Sequence, residues 1–454
     1  MLRLFALLLA LAAAPAAAQD RIDRLFTAYM ARENIPGAVL VVLRGDEPAI
    51  SRAWGLSDRA RGTPMRADAI QPIYSVSKQF TAALVLRLAE RGRVDLDAPV
   101  ARYLPSWFAD EPALKVRHLL RHTSGLSNFV GRAEARAIEQ APAGTGSLAT
   151  MLDLIDRLPR RFAPGERHAY SNSNYTALAL IVERVTGQPF AEAQRELLLR
   201  PLGLAGIDEC ASLERGRISP GHDASGALSP LPPNLVPSFS GNGGLCATAQ
   251  ALARWTRALG AGRVIGPALL AEMRRGARVE AGYTPPYGFG LSTLELAGRP
   301  AFSHAGADDG WGAWAAYLPQ ERITIVLLAN RGWLWATDLG VPVVRAAVGL
   351  AKPRPPGRGH LTRRERAALT GAFEDGLFEF ELRAEADRLI VANPAFGAPI
   401  ELWRQPGGRF VAPLRPDTFS LRLADGRPEL DWMEHRSYLV RRPRPPREPA
   451  PSVP

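Results

Sequence analysis

Ile73-Tyr74-Ser75-Val76-Ser77-Lys78-Gln79-Phe80 carries one of only three lysines in the chain, the others being Lys115 and Lys352. Elsewhere the basic residue is arginine, which stays protonated in proteins, whereas a desolvated lysine lowers its pKa and acts as a base. From Ser77 to Arg91 the apolar residues Phe80, Leu84, Val85 and Leu88 fall at helical spacing, and Gly92 ends the run. Ser75 therefore sits at the mouth of a helix, and the i,i+3 spacing puts its hydroxyl and the Lys78 amine on one face. Chance alone would supply such a pair about one time in seven, so the motif needs company.

Upstream, 20–33 reads as an amphipathic helix through Ile22, Leu25, Phe26 and Met30. Gly37 to Leu43 is a buried strand that turns at Arg44-Gly45-Asp46, with Ala49 to Gly55 as its partner. Downstream, about 94–260 is mostly helical, broken by Pro and Gly, and includes a helix over Asn174–Val185. Strands return at Gly290–Leu296, Ala301–Ser303, Ala313–Leu318 and Ile323–Ala329. Strands at both ends of a helical insertion imply an α/β core whose sheet draws on distant parts of the chain.

The 454 residues, 46% hydrophobic and 22% charged, describe an ordinary globular protein with room for one large core and a second, smaller one. We expect a signal peptide over 1–18 (Arg3, the apolar Leu4 to Leu11, then Ala16-Ala17-Ala18), a main domain over 19–350 and a Pro/Arg-rich linker over 351–361. A small β domain over 362–441 follows from the alternation of Phe378, Phe380 and Leu382 with Glu379 and Glu381, and of Phe419, Leu421 and Leu423 with Ser420 and Arg422. The tail, 442–454, reads as disordered. Export to a periplasm or out of the cell follows from the leader. No later apolar run approaches the roughly 18 residues that span a bilayer.

In an oxidising compartment Cys210 and Cys246 are permitted one disulfide; two separately buried thiols are the competing reading. The net charge of +11 is spread among acidic residues with no basic block interleaved with aromatics, which points away from nucleic acid and towards adhesion to an anionic envelope surface. His118 and His122 stand four apart as in zinc helices, but no HExxH accompanies them, and we expect neither metal nor cofactor. No GxSxG elbow occurs, which argues against an α/β-hydrolase.

Company for Ser75 and Lys78 comes from Tyr170-Ser171-Asn172, from His304-Ala305-Gly306 after a strand, and from Leu120-Arg121-His122-Thr123-Ser124-Gly125-Leu126 between them in the chain. In this order the motifs resemble the class C β-lactamase and penicillin-binding-protein family of serine hydrolases over about 20–345. Gly241-Asn242-Gly243-Gly244-Leu245 is similar to that family's Gly-rich segment beside the active site. The resemblance implies a β-lactamase/DD-peptidase-like antiparallel sheet flanked by helices, with an inserted helical region. It makes Ser75 the nucleophile, Lys78 its base and Tyr170 a proton relay, the last requiring a cation such as Lys78 to lower the phenol's pKa. Asn172 would hold Lys78 and bond the acyl side of the substrate. The backbone N–H groups of Ser75 and of Ala307, the residue after Gly306, would form the oxyanion hole.

One motif departs from the family. Members acting on β-lactams or D-Ala-D-Ala commonly carry Lys-Thr-Gly where this chain has His304-Ala305-Gly306, and a histidine of ordinary pKa is mostly neutral at pH 7. The expected substrate is therefore a small ester or a D-amino-acid peptide amide, with His304 lining the acyl pocket. A class C-type β-lactamase, a DD-carboxypeptidase and an acylatable sensor without turnover are the alternatives. The sequence leaves open the oligomeric state and the task of the C-terminal domain.

Overall fold

The computed structural model describes residues 20–282, 284–332, 336–350, 357–374, 379–393, 399–412, 415–424, 426–432 and 435–441. The leader, the first part of the linker, Phe378 and the tail read from the sequence lie outside them. The chain divides into two compact units, 1–352 and 353–454.

The first unit is built on a seven-stranded sheet in the order Thr63–Pro64, Glu47–Asp58, Gly37–Arg44, Ile323–Ala329, Trp311–Leu318, Arg299–Asp308, Ser292–Leu296. Its central neighbours are antiparallel, with Val41 opposite Val326 and Ala315 opposite the same residue on the other side. Both faces of this centre are covered, which explains why Gly37–Leu43 and Ile323–Ala329 are apolar runs without alternation. Val39, Val41, Val326 and Leu328 join the core under the helices Lys78–Glu90, Asn172–Thr186 and Ala249–Gly260. Ala38, Leu40, Ile325 and Leu327 face the opposite way and meet the helix 20–32 and the helix Ala336–Ala347. Stacked rings pin each layer, Phe80 on Trp255 at 3.8 Å and Phe26 on Trp54 at 4.1 Å. Burying one Val or Leu side chain here contributes about 1.5–3 kcal/mol, so a charge at Val41 would disrupt the sheet.

Three short strands that no run of apolar residues announces form a second sheet in the unit. Leu245–Ala247 pairs with Gln71–Pro72 on one side and Ile207–Glu209 on the other. The cysteines are bonded to each other, Cys210 following one strand and Cys246 lying within another, which decides between the two readings left open by the sequence. This small sheet leads straight into the Ser75 segment, because Ile73 N–H donates to Leu245 C=O at 2.9 Å and Leu245 N–H to Ser77 Oγ at 3.2 Å.

The second unit opens with the helix Arg363–Leu369, capped by reciprocal bonds between Thr362 and Glu365. A curled nine-stranded antiparallel sheet follows, running from Gly371–Glu374 to His435–Tyr438, with Val440–Arg441 returning to pair with its first strand. Phe380 and Leu382 are buried and Glu379 and Glu381 exposed, as period-two alternation requires. No helix among the described residues is long and apolar enough to cross a membrane.

Candidate active site

Ser75 lies not in the α-helix itself but in a 3-10 turn, Tyr74–Ser77, that precedes the helix Lys78–Glu90. Tyr74 has φ +42°, a left-handed conformation that costs a non-glycine residue on the order of 1 kcal/mol. The bonds to Leu245 and a close strand hold it there. That strand is Arg299–Asp308, longer than the sequence suggests, so His304-Ala305-Gly306 lies inside it rather than after it. Ser292–Leu296 pairs only with Arg299–Ser303, which leaves the other edge of 304–308 to face the Ser75 turn. A β-carbon at Gly306 would fall 2.1 Å from Ile73 O and 2.8 Å from Ser75 N, so only glycine allows this approach.

Lys78 is fully buried, and its Nζ reaches three oxygens: Asn172 Oδ1 and the Asn242 carbonyl, each at 2.7 Å, and Ser75 Oγ at 3.0 Å. Burial drives its pKa well below the ordinary lysine value. A neutral amine has two hydrogens and one lone pair. The amide and carbonyl oxygens can only accept, so they take the hydrogens, and the lone pair is left for the Ser75 hydroxyl proton.

Tyr170 hydrogen-bonds to Ser75, and its ring centroid is 5.0 Å from Lys78 Nζ. Burial pushes this phenol up, against the lowering effect of the Ser75 bond. The sequence reading asked for the opposite shift. The reason for the difference is that burial disfavours charge on both groups, raising the phenol and lowering the amine.

The supports around these residues are mostly invisible in the sequence. His122, buried at φ +56°, accepts Ala169 N–H on its carbonyl (2.9 Å) and Ser171 N–H on Nδ1 (3.2 Å), bracketing Tyr170. Its ring lies 4.3 Å from that of Tyr170. Asn128 Oδ1 accepts both the backbone N–H (3.1 Å) and the side-chain amide (3.3 Å) of Asn172, which turns Asn172 Oδ1 towards Lys78. Asn242 is fixed by its amide bonds to Ser238 O (2.7 Å) and Thr176 Oγ1 (3.1 Å). The Gly-rich segment thus serves as an acceptor of the lysine's proton, a role no spacing announces.

His304 is buried rather than open to the site: Nε2 meets Tyr287 Oη at 2.8 Å and Nδ1 meets the Ala305 carbonyl at 2.6 Å. Its ring centroid is 6.3 Å from that of Tyr170. His118 spends Nδ1 on Lys115 N–H at 3.2 Å, and burial, helped by neighbouring cations, lowers its pKa to about 4. Among the described residues no group of three or more His, Cys, Asp or Glu could hold a metal ion.

The sheet, the helices on it and the serine-lysine-tyrosine arrangement define a serine hydrolase of penicillin-binding type. The chain belongs to the β-lactamase family, whose model matches residues 22–333. It is 32% identical over 359 residues to the esterase EstB of Burkholderia gladioli, covering 69% of this chain and 90% of that one. To a D-aminopeptidase of Brucella anthropi it is 29% identical over 305 residues, 65% of this chain but only 56% of the relative. The fold is shared with an octameric penicillin-binding protein homologue from Pyrococcus abyssi, at TM-score 0.66 and 20% identity over 93% of this chain and 99% of that one.

Proposed function

We propose that this protein hydrolyses a small ester or a short D-amino-acid amide through an acyl-Ser75 intermediate. The observation that carries the reading is the Lys78 amine, buried, with two obligate acceptors engaged and Ser75 Oγ at its third position.

The Ser75 proton passes to Lys78 as Oγ attacks the substrate carbonyl, and the oxyanion is met by the N–H groups of Ser75 and Ala307. The tetrahedral intermediate collapses by breaking the bond to the leaving group. That group takes its proton from Tyr170, which is replenished by Lys78. Water then attacks the acyl carbon, giving its proton back along the same route, and the acid departs as Ser75 is reprotonated. A phenol at rest suits this cycle, because Tyr170 begins as a donor.

The EstB and D-aminopeptidase likenesses favour esters and D-amino-acid amides over β-lactams. So does His304, which commits both ring nitrogens to Tyr287 and Ala305 and offers no lysine ammonium to a substrate carboxylate. The bridged cysteines fit export by the expected leader, since such bonds persist in oxidising compartments. Steady turnover of p-nitrophenyl acetate or D-alanine p-nitroanilide by wild type, lost in Ser75→Ala, supports the reading. An acylated protein that does not turn over would instead be a sensor.

A further inference from the structure

Glu209 ends the strand Ile207–Glu209 and pairs with Leu245 at the end of the Gly-rich segment. Its carboxyl is buried beneath that segment: a β-carbon at Gly244 would fall 2.2 Å from Glu209 Oε2, so only glycine leaves room for it. From the other end of the segment the Ser240 hydroxyl hydrogen-bonds to the same carboxyl. Cys210, next in the chain, donates its N–H to the Gly244 carbonyl at 2.8 Å. The end of this strand therefore holds 240–244 from below at both ends.

The other side of the segment meets the helix that carries the lysine. Thr81 Oγ1, three residues after Lys78, donates to the Gly241 carbonyl at 2.6 Å, and Lys78 Nζ to the Asn242 carbonyl at 2.7 Å. The N–H groups of Asn242 and Gly243 both turn back to the Phe239 carbonyl, at 3.1 and 2.7 Å. A tight turn is thus clamped between the helix Lys78–Glu90 and the Glu209 side chain. Any shift forced on it at Gly244 reaches the lysine's acceptor two residues away.

We propose that Glu209 is a positioning residue for the Ser75 reaction, its carboxyl wedged beneath the Gly-rich segment so that the Asn242 carbonyl stays on Lys78 Nζ. The wedge works only while the carboxyl is neutral, because Oε1 meets no hydrogen-bond partner among the described residues and a charge there would go unsolvated. The charges facing it are Asp208, its neighbour in the chain, and Arg195, which pairs with Asp208 at 2.9 Å. The helix Val236–Phe239, the segment itself and the strand Leu245–Ala247 bring no titratable side chain except the disulfide-bonded Cys246. Burial and the Asp208 charge raise the Glu209 pKa to about 8. Above that pH the carboxylate draws in water, the turn lifts, and Lys78 loses one of the two acceptors that aim its lone pair at Ser75. The inference rests on the acyl-Ser75 reading and adds an alkaline limb to the acid limb set by Lys78.

The test is a pH profile of kcat and KM for p-nitrophenyl acetate on the full chain, corrected for spontaneous hydrolysis, with circular dichroism recorded at each pH. In wild type kcat should fall about tenfold as pH rises through about 8, with KM and dichroism little changed. Glu209→Ala should lower kcat about tenfold already near neutral pH. Glu209→Gln keeps the shape without the charge, so it should recover kcat and abolish the alkaline fall. Asp208→Asn removes a charge that raises the Glu209 pKa and should move the fall to lower pH. If Glu209→Ala does not fold, wild type and the other two variants decide. A fall that persists in Glu209→Gln, stays in place in Asp208→Asn or follows loss of dichroism overturns the role, as does a folded Glu209→Ala with wild-type kcat. Each of those results leaves Ser75 acylation standing, whereas failure of a fluorophosphonate to label Ser75 at any pH defeats the acyl-enzyme reading and this inference with it.

Discussion

Lys78 Nζ stands 3.0 Å from Ser75 Oγ, while its two shorter bonds, 2.7 Å each, end on oxygens that can only accept. Protonated, the lysine would fill all three positions as a donor and leave Ser75 without a base. Neutral, it has one lone pair and one place to direct it.

Replacing Lys78 by arginine keeps a cation and removes the lone pair. We expect kcat/KM for p-nitrophenyl acetate to fall about 10²–10⁴-fold, the usual loss for a general base. In wild type, activity should rise with pH as Lys78 deprotonates, at a pH below the ordinary lysine range because burial lowers its pKa. An acid limb that persists unchanged in Lys78→Arg would show that another group is titrating.

Asn128 acts through Asn172 and is a positioning residue. Asn128→Ala should lower kcat about tenfold with little change in KM, the cost of a misplaced catalytic group. Asn128→Asp keeps the acceptor and should restore kcat, while its charge favours protonated Lys78 and moves the acid limb upward. Equal losses in both variants would point to simple destabilisation.

Glu209 is buried against Gly244, and burial, with the charge of Asp208, raises its pKa to about 8. The folded state therefore holds a proton that the unfolded chain has lost by about pH 5. Its contribution to stability is complete below the unfolded pKa and disappears as pH rises through about 8. Denaturant titrations of Glu209→Gln should be flatter between about pH 5 and 8, with a relative gain over wild type of up to about 4 kcal/mol across that range, at about 1.4 kcal/mol per pKa unit. Parallel curves for the two proteins would contradict the assignment.

Cys210 and Cys246 are 36 residues apart in sequence. Loop-closure entropy predicts that Cys210→Ser with Cys246→Ser loses between about 3 and 4 kcal/mol. Because this bridge anchors the strand Leu245–Ala247, which bonds to Ile73 and Ser77 on either side of Ser75, urea unfolding followed through activity should shift as far as unfolding followed by circular dichroism.

Much of the fold is legible in the sequence because its centre obeys simple rules. Ile323–Ala329 is a strand at the residues its apolar run marks, and the helix after Ser75 ends one turn residue before Gly92. The strands Gln71–Pro72, Ile207–Glu209 and Leu245–Ala247 escape notice because two or three residues carry no periodicity. The full length of Arg299–Asp308 escapes because Gly306 reads as a breaker, whereas it is required for close approach to Ile73 and Ser75. In the site, Ser75, Lys78, Tyr170 and Asn172 converge as their motifs imply. Asn128 and Tyr287 have no local signal, since each matters through a neighbour distant in sequence. The direction of the Tyr170 shift was equally beyond spacing, because it depends on how deeply both it and Lys78 are buried.

The central claim is that Ser75 becomes covalently acylated with Lys78 as its base. Mass spectrometry of the intact protein after a fluorophosphonate pulse, followed by peptide mapping, tests it directly. The account predicts one adduct on the peptide containing Ser75, formed faster as pH rises through the Lys78 transition and strongly slowed in Lys78→Arg. Modification at another residue, or the same rate in Lys78→Arg, would contradict it.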